Sequence, residues 1–251
     1  MRTFDTEAII LSTEDYGESD RLVLFYARTG GKLRGIAKGA RRSRKRFVHA
    51  FESCSLVELT CREGKSLAWI EACKLVEPHL ALRTEVERWG YAALLTEIIL
   101  EMVPEGEIQT EIFSLLKGAI ERLSCDRDPL NVVLLFLFRF LDLMGYLPAL
   151  DGCSICHRPL KASTNWFWRS GKGMLVCPEH RPVQEDYLKM DLGTLVLIHH
   201  ARTLALDRIW RLRFGREKKT AVLYCLLNWV RALIQKNLKS LRVLEQVQSA
   251  C

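Results

Sequence analysis

Four residues with metal-binding side chains stand in two short pairs. Cys153 and Cys156 are separated by two residues, and about twenty residues further on Cys177 and His180 are separated by two as well. Each short loop lets two ligands point at one ion, and the segment between the pairs folds back as a hairpin. Thiolate sulfur and imidazole nitrogen are typical zinc ligands, and four protein ligands leave no open coordination position. The spacing therefore predicts a structural Zn²⁺ site held by Cys153, Cys156, Cys177 and His180.

Two alternatives stay open at this site. The cysteines could be buried thiols without metal, and His157, directly after Cys156, could compete with His180 as the fourth ligand. The chain has nine cysteines in all. In a reducing compartment we expect them to be buried thiols or metal ligands rather than disulfides.

A second candidate site is the segment from Arg28 to Arg46, which contains nine basic residues and no acidic one. Like charges repel one another, so the pattern favours anion binding over the alternative of a solvated loop. Phe47 and Phe51 follow, and cationic groups beside aromatic rings suit phosphates and bases respectively. The predicted nucleic-acid-binding residues are Arg34, Lys38, Arg41, Arg42, Arg44, Lys45 and Arg46.

The segment from Arg202 to Lys219 is also rich in basic residues, and Trp210 and Phe214 lie among them. It could extend a nucleic-acid track, dock an acidic peptide, or be a solvated helix end. The sequence leaves these three interpretations open.

No set of residues with the pattern of a catalytic site is found. Gly64-Lys65-Ser66 lacks the upstream glycine of a phosphate-binding loop, and no His-x-Glu precedes the cysteine pairs as in zinc deaminases. The carboxylates between Glu14 and Asp20 could hold Mg²⁺ in a nuclease, but no other segment supplies matching ones. We therefore predict a binding protein rather than an enzyme. A metal-dependent nuclease and a zinc-containing RNA-binding or transcription factor are the alternatives.

The charge distribution favours an anionic partner. The net charge is +7, but residues 81–150 carry a net −5 and residues 151–251 a net +9. Two basic ends around an acidic middle suggest an anion bound at two places. The N-terminus lacks an apolar signal core, and the most apolar stretch, 131–147, is too short to span a bilayer. These features predict a cytoplasmic protein without membrane contact.

The first 80 residues have the pattern of a small β-barrel. Five short β-favouring runs are punctuated by glycines, which is typical of an OB-fold. The runs are Ala8–Leu11, Leu22–Tyr26, Leu33–Lys38, Leu56–Cys61 and Leu67–Val76. The basic run from Arg28 to Arg46, called the cationic segment below, would leave the third of these strands as a loop at the binding face of the barrel.

Helical periodicity begins after Pro78. Thr84 and Glu87 have the spacing of a capping box, and Asp128-Pro129 and Asp191 each have the pattern of a helix start. We predict helices over 84–102, 107–123, 128–145, 192–206 and 218–238. The predicted class is α+β, with an OB-fold domain at 1–80 and a helical domain at 81–251. Its zinc-binding segment spans about 151–182.

Several motifs occur in an order that resembles the RecO family of recombination mediators. They are Asp15-Tyr-Gly-Glu-Ser-Asp20, then Gly35-Ile-Ala-Lys-Gly-Ala-Arg41, then Leu143-Met-Gly-Tyr-Leu-Pro148 before the first cysteine pair. Lys239-Ser-Leu241 with Leu244 also fits. The resemblance covers essentially the whole chain. Family members commonly have cysteine at all four zinc-ligand positions, whereas this chain has His180 at the fourth.

The resemblance implies a non-enzymatic DNA-repair function. Family members bind single- and double-stranded DNA and anneal complementary strands, including strands coated by single-stranded DNA-binding protein (SSB). With RecR they help to load RecA at gaps. The basic loop of the family corresponds here to Lys38, Arg41, Arg42, Arg44, Lys45 and Arg46. The implied location is the bacterial cytoplasm, at the nucleoid.

Overall fold

The computed structural model describes residues 2–43, 45–47, 50–147, 149–161, 165–181, 187–242 and 244. The chain divides into two compact units, one formed by residues 1–126 with 238–251 and the other by residues 127–237. The predicted domain boundary near residue 80 does not coincide with the division between these units. It lies inside the first unit, at the point where the chain changes from strands to helices. In the part of the chain that the structure describes, no helix is both long and apolar enough to cross a membrane.

The first unit begins with a closed five-stranded barrel. Its strands neighbour one another in the order β1-β2-β3-β5-β4, and β4 pairs back with β1. The strands are β1 (Thr3–Tyr16), β2 (Asp20–Ala27), β3 (Gly31–Ala37), β4 (Leu56–Arg62) and β5 (Ala68–Glu77). All neighbours are antiparallel except β3 and β5. This is the OB-like barrel that the five β-favouring runs predicted, and closure leaves no free strand edge.

β1 is much longer than the run Ala8–Leu11 predicted, because it pairs on both sides. Residues 3–9 pair with β4 and residues 8–16 pair with β2. The register shifts between Ile10 and Ser12. Such a shift bends a strand, which lets one strand close the barrel. Alternate residues of the strands fill the interior, where Ile10, Val23 and Phe25 are buried.

Three helices follow the barrel within residues 81–126, and the chain end also belongs to this unit. They are α1 (Ala81–Thr84), α2 (Val86–Met102) and α3 (Thr110–Cys125). The predicted capping box of Thr84 and Glu87 is wrong. The Thr84 hydroxyl donates to the Ala81 carbonyl oxygen at 2.9 Å, so it closes α1 instead of opening the next helix. The N-cap of α2 is Glu85.

The β2–β3 hairpin packs on these helices. The Lys32 ammonium donates to the Leu100 carbonyl oxygen at 2.5 Å, and the Lys32 carbonyl accepts from the Gly106 N–H at 2.9 Å. Burial lowers the pKa of Lys32, against the opposing charges of Glu105 and Glu101. Lys32 is therefore a structural member of the basic run.

Alanine substitutions at two glycines test the close packing of the β2–β3 hairpin on the segment after α2. Gly31 has a φ of +66°, and a Cβ there would lie 1.9 Å from the Glu107 carbonyl oxygen. We expect Gly31→Ala to reduce the free energy of unfolding by about 3 kcal/mol or more, since backbone strain and a backbone clash add. Gly17→Ala is the control, because its φ is +60° but its Cβ would meet no described atom within 4 Å. It should cost only about 1 kcal/mol. Urea denaturation measures both, and equal losses would contradict the close approach to Glu107.

In its described residues, the second unit combines four helices with a small sheet. Its elements are α4 (Pro129–Leu143), β6 (Trp166–Arg169), β7 (Met174–Val176), β8 (Tyr187–Met190), α5 (Leu192–Thr203), α6 (Leu206–Ile209) and α7 (Lys219–Ile234). The predicted starts of α4 and α5 are confirmed. The Asp128 carboxylate accepts from the Asn131 N–H, and the Asp191 carboxylate accepts from the Thr194 N–H at 2.7 Å. The predicted helix over 192–206 ends at Thr203 and is followed by the short α6.

α4 is the apolar stretch from the sequence, and it is a core helix. Buried residues occupy its whole circumference, from Val132 to Leu141. The buried Asn131 side chain donates to the Leu212 carbonyl oxygen at 2.9 Å and accepts from the Phe214 N–H at 2.9 Å. These bonds satisfy the amide and tie the helix to the segment after α6.

Candidate metal centre and nucleic-acid interface

The structure brings the four predicted metal ligands together in the second unit. The ligand atoms of Cys153, Cys156, Cys177 and His180 all lie within 4.8 Å of one another. The Sγ atoms of Cys156 and Cys177 are 3.8 Å apart. The Nδ1 atom of His180 lies 3.3 Å from the Cys177 sulfur and 3.7 Å from the Cys153 sulfur.

These distances fit one tetrahedral ion. Ligands at about 2.3 Å from a central zinc stand roughly 3.8 Å apart at the corners of a tetrahedron. The cluster could therefore bind a metal such as zinc, with three sulfurs and the Nδ1 atom of His180. His157 lies outside this group: it is exposed, and its own N–H donates to the Cys153 carbonyl oxygen at 2.9 Å.

Local backbone structure positions each pair of ligands. In the first loop the Cys153 N–H donates to the Arg158 carbonyl oxygen at 2.9 Å, and in the second the His180 N–H donates to the Cys177 carbonyl at 3.0 Å. Between them, β6 and β7 pair antiparallel. The predicted hairpin is confirmed. A third strand, β8, pairs with the other edge of β6 and was not predicted from the sequence.

Two ligands of this cluster differ in their tendency to ionise: burial raises the pKa of the Cys177 thiol, whereas hydrogen bonds favour the thiolate of Cys153. Burial raises the pKa of the Cys153 thiol, but backbone N–H donors, among them that of Cys177 at 3.4 Å from the sulfur, outweigh it and hold the pKa at about 6. A thiolate is the form that binds metal. An ion pair also joins the two loops, because Arg158 donates to both carboxylate oxygens of Glu179 at 2.7 and 2.9 Å.

Four of the remaining cysteines differ from Cys153 in that their thiol pKa values are raised. Burial raises the pKa of each of four thiols in the two cores to about 12. These are Cys54, Cys61, Cys73 and Cys225. They are buried thiols, as the sequence predicted, and not ligands. The prediction is wrong for Cys125, which is exposed and is not in the metal-ligand cluster, and Cys251 lies outside the described residues.

The cationic segment leaves β3 as predicted and continues through a short turn at Ala40–Arg42. Lys45 and Arg46 are exposed, and Arg44 lies outside the described residues. The Arg46 guanidinium donates to the Lys38 carbonyl oxygen at 3.3 Å, which folds the segment back on itself. The Arg46 carbonyl oxygen accepts from the Cys73 N–H at 3.3 Å and so anchors the segment to β5.

Acidic side chains at the end of β1 and in the β1–β2 turn form ion pairs with this segment. These pairs were not predicted from the sequence. Arg41 pairs with Asp15 at 3.3 Å, and Arg42 lies 4.0 Å from Glu18. The Asp20 carboxylate accepts from the Gly39 N–H at 2.8 Å. That bond, with one from Ser19, lowers the pKa of Asp20. The segment itself contains no acidic residue, but carboxylates from the end of β1, the β1–β2 turn and the start of β2 lie next to it in the fold.

Arg34 lies apart from the loop, on β3. Its guanidinium pairs with the Glu105 carboxylate at 2.8 Å, and both side chains remain about half exposed. Its charge is therefore partly neutralised within the first unit. Whether it contacts nucleic acid stays a prediction.

The predicted role of Phe47 and Phe51 in base stacking is wrong. Both rings belong to the barrel core, with 5% and 4% of their surface exposed, and they pack on each other at 5.3 Å. The cationic segment is followed by an apolar anchor, not by a stacking surface. Trp210 and Phe214 in the basic segment of the second unit are likewise buried.

The carboxylates of a hypothetical nuclease site are engaged elsewhere. Asp15 pairs with Arg41 and Arg21, and Asp20 accepts from Ser19 and Gly39. Within the described ranges, the Cys153–His180 cluster is the one group of three or more candidate ligands close enough to share an ion. The structure offers no support for a magnesium site in the β1–β2 turn.

Fold and cluster together define a class of protein: an OB-like barrel followed by a helical region with a Cys₃His insertion. The family model described as "Recombination protein O N terminal" matches residues 1–79, and "Recombination protein O C terminal" matches residues 83–242. The chain belongs to the RecO family of DNA repair and recombination proteins, which are recombination mediators and not enzymes.

Curated relatives agree with this assignment. The chain is 58% identical over 249 residues to the DNA repair protein RecO of Syntrophobacter fumaroxidans, covering 99% of this chain and all of the relative. It is 31% identical over 250 residues to that of Syntrophus aciditrophicus, covering 98% and 96%. Both are bacterial proteins. Membership implies DNA and other recombination proteins as partners.

Proposed function

We propose that the protein binds single- and double-stranded DNA and anneals complementary strands, and that with RecR it helps RecA to load onto SSB-coated DNA. Its place of action is the bacterial cytoplasm, at the nucleoid. The observation that carries the proposal is the cationic segment at the end of β3. OB-folds bind oligonucleotides on the face of strands β2 and β3, between the β1–β2 and β4–β5 loops, and the cationic segment begins where β3 ends.

Annealing requires no catalytic residues. Two complementary strands repel each other through their phosphates, and cations that neutralise both remove this barrier. Base pairing then supplies the free energy. The residues proposed for this role are Arg34, Lys38, Arg41, Arg42, Arg44, Lys45 and Arg46.

The acidic β1–β2 turn fits this role. Asp15 and Glu18 supply counter-charges to Arg41 and Arg42 in the free protein, and exposed pairs of this kind are weak. Phosphates can take the place of these carboxylates. The arrangement keeps the arginines positioned and the repulsion within the segment low until DNA arrives.

For the domains, we propose an OB-fold DNA-binding domain at 1–80 and a helical domain at 81–251. The segment at about 151–182 would carry one structural Zn²⁺ on Cys153, Cys156, Cys177 and His180. A closed four-ligand site contributes to folding and does not polarise a substrate.

A direct test is the annealing of SSB-coated oligonucleotides. The purified protein should increase the rate of duplex formation between complementary strands without any nucleotide cofactor, because neutralisation alone suffices. Fluorescence energy transfer between end-labelled strands measures this rate. RecR can be added as a separate variable, and RecA loading is then scored on the same substrate. Failure to accelerate annealing of either bare or SSB-coated strands would contradict the proposal, and Mg²⁺-dependent cleavage of the strands would favour a nuclease.

A further inference from the structure

The outer face of β1, β2, β3 and β5 can be read from the strand registers. Leu22 on β2 stands opposite Glu14 on β1 and Ile36 on β3, and Ile36 stands opposite Trp69 on β5. These residues share one face, and they alternate with the inward-facing Val23 and Ile70. Tyr16, two residues beyond Glu14 on the same strand, belongs to this face as well.

Tyr16 is an exposed aromatic residue at the end of β1. The residue is 56% exposed and pairs with Asp20 on β2. Arg41 of the cationic segment pairs with the neighbouring Asp15 and donates to the Gly17 carbonyl oxygen at 3.4 Å. The residues on both sides of Tyr16 therefore contact the cationic segment, while Tyr16 itself is exposed and not part of a core.

Trp69 is the second aromatic residue of this face. It is half-buried near the start of β5, just after the β4–β5 connection. The Lys38 ammonium lies 4.5 Å from the centre of its ring. An indole and a cationic group therefore stand together on the ligand-binding face of the barrel.

We propose that Tyr16 and Trp69 are the aromatic side chains on which bases of single-stranded DNA stack, next to the cationic segment. This inference rests on the proposed DNA binding and specifies its selectivity. On the face formed by β1, β2, β3 and β5, three strand spacings of about 4.8 Å separate the two strands that carry the rings, which is roughly 14 Å measured around the barrel surface. A few nucleotides span this distance, within the 4 to 16 that OB-folds cover.

The two kinds of contact distinguish single from double strands. Phosphates are accessible in both, so the cationic segment binds both. Bases in a duplex are already stacked and paired, whereas unpaired bases are free to stack on Tyr16 and Trp69. When a base covers the indole of Trp69, the Lys38 ammonium is free to pair with the phosphate of that nucleotide.

Binding measurements on matched variants test this inference. In the full-length protein, Y16A and W69A should each weaken binding to a labelled oligo-dT by about fivefold or more, and binding to a duplex by less than twofold. Y16F and W69F should restore most of the single-strand affinity, since they keep an aromatic ring. Y224A is the control: Tyr224 on α7 is also 56% exposed, and its removal should change neither affinity.

The possible outcomes separate this inference from the proposed function. If the wild-type protein binds neither single nor double strands, the proposed function fails. If the wild-type protein binds DNA but Y16A and W69A bind oligo-dT equally tightly, the stacking inference is overturned. An equal loss for both kinds of DNA in folded variants would overturn it too, since stacking affects unpaired bases alone. Should W69A not fold, Y16A and W69F still decide the matter.

Discussion

Replacing Arg41, Arg42, Arg44 and Lys45 together with alanine is expected to abolish most of the salt-dependent binding to single-stranded DNA. Each lost phosphate contact reduces the slope of log affinity against log salt by about 0.7, so four contacts reduce it by roughly 3. Between 50 and 200 mM salt the wild-type affinity should then fall about 50-fold more than the variant affinity. Fluorescence anisotropy at a series of salt concentrations measures the slope.

Arg122→Ala is a suitable control for this variant. Arg122 is an exposed cation of the same compact unit and lies in the last turn of α3, outside the barrel. Its removal should leave the slope nearly unchanged. A slope that is also unchanged in the fourfold variant would mean that the cationic segment is not the DNA track.

Loss of a metal ligand is expected to have the second large effect. Wild-type protein prepared without chelator should contain about one zinc per chain. Cys153→Ser should remove it and lower the melting temperature by about 10 °C or more, because binding energy at a structural zinc site is folding energy. Metal analysis and calorimetry measure the two quantities. Zinc-free wild-type protein would contradict the assignment.

Two histidine variants and a DNA-binding measurement serve as controls for the prediction on metal loss. His180→Ala should lose the metal or hold it weakly, whereas His157→Ala should keep it, since His157 lies outside the cluster. DNA binding by the folded fraction of Cys153→Ser should be nearly normal, because the cationic segment belongs to the other compact unit. A variant with normal stability but no DNA binding would mean that the zinc segment itself contacts DNA. Lys161, Arg169 and Lys172 would then become candidates.

Features with local causes were predictable from the sequence alone. The five barrel strands follow from β-favouring runs between glycines, and the starts of α4 and α5 from Asp128-Pro129 and Asp191. The metal cluster follows from the spacing of its residues, because a two-residue loop is by itself enough to let two ligands face one ion. These features depend on a few neighbouring residues, which the sequence contains.

Tertiary structure alone decided which side chains face solvent and which oppose each other. Phe47 and Phe51 follow the cationic segment in sequence, yet the barrel buries both, while Tyr16 and Trp69, distant in sequence, lie on its outer face. Asp15 opposes Arg41 because the order of pairing joins β1 to β2 and β2 to β3. Such relations depend on strand register and barrel closure, which bring together residues 20 to 50 positions apart. A linear pattern holds no information about them until the fold is known.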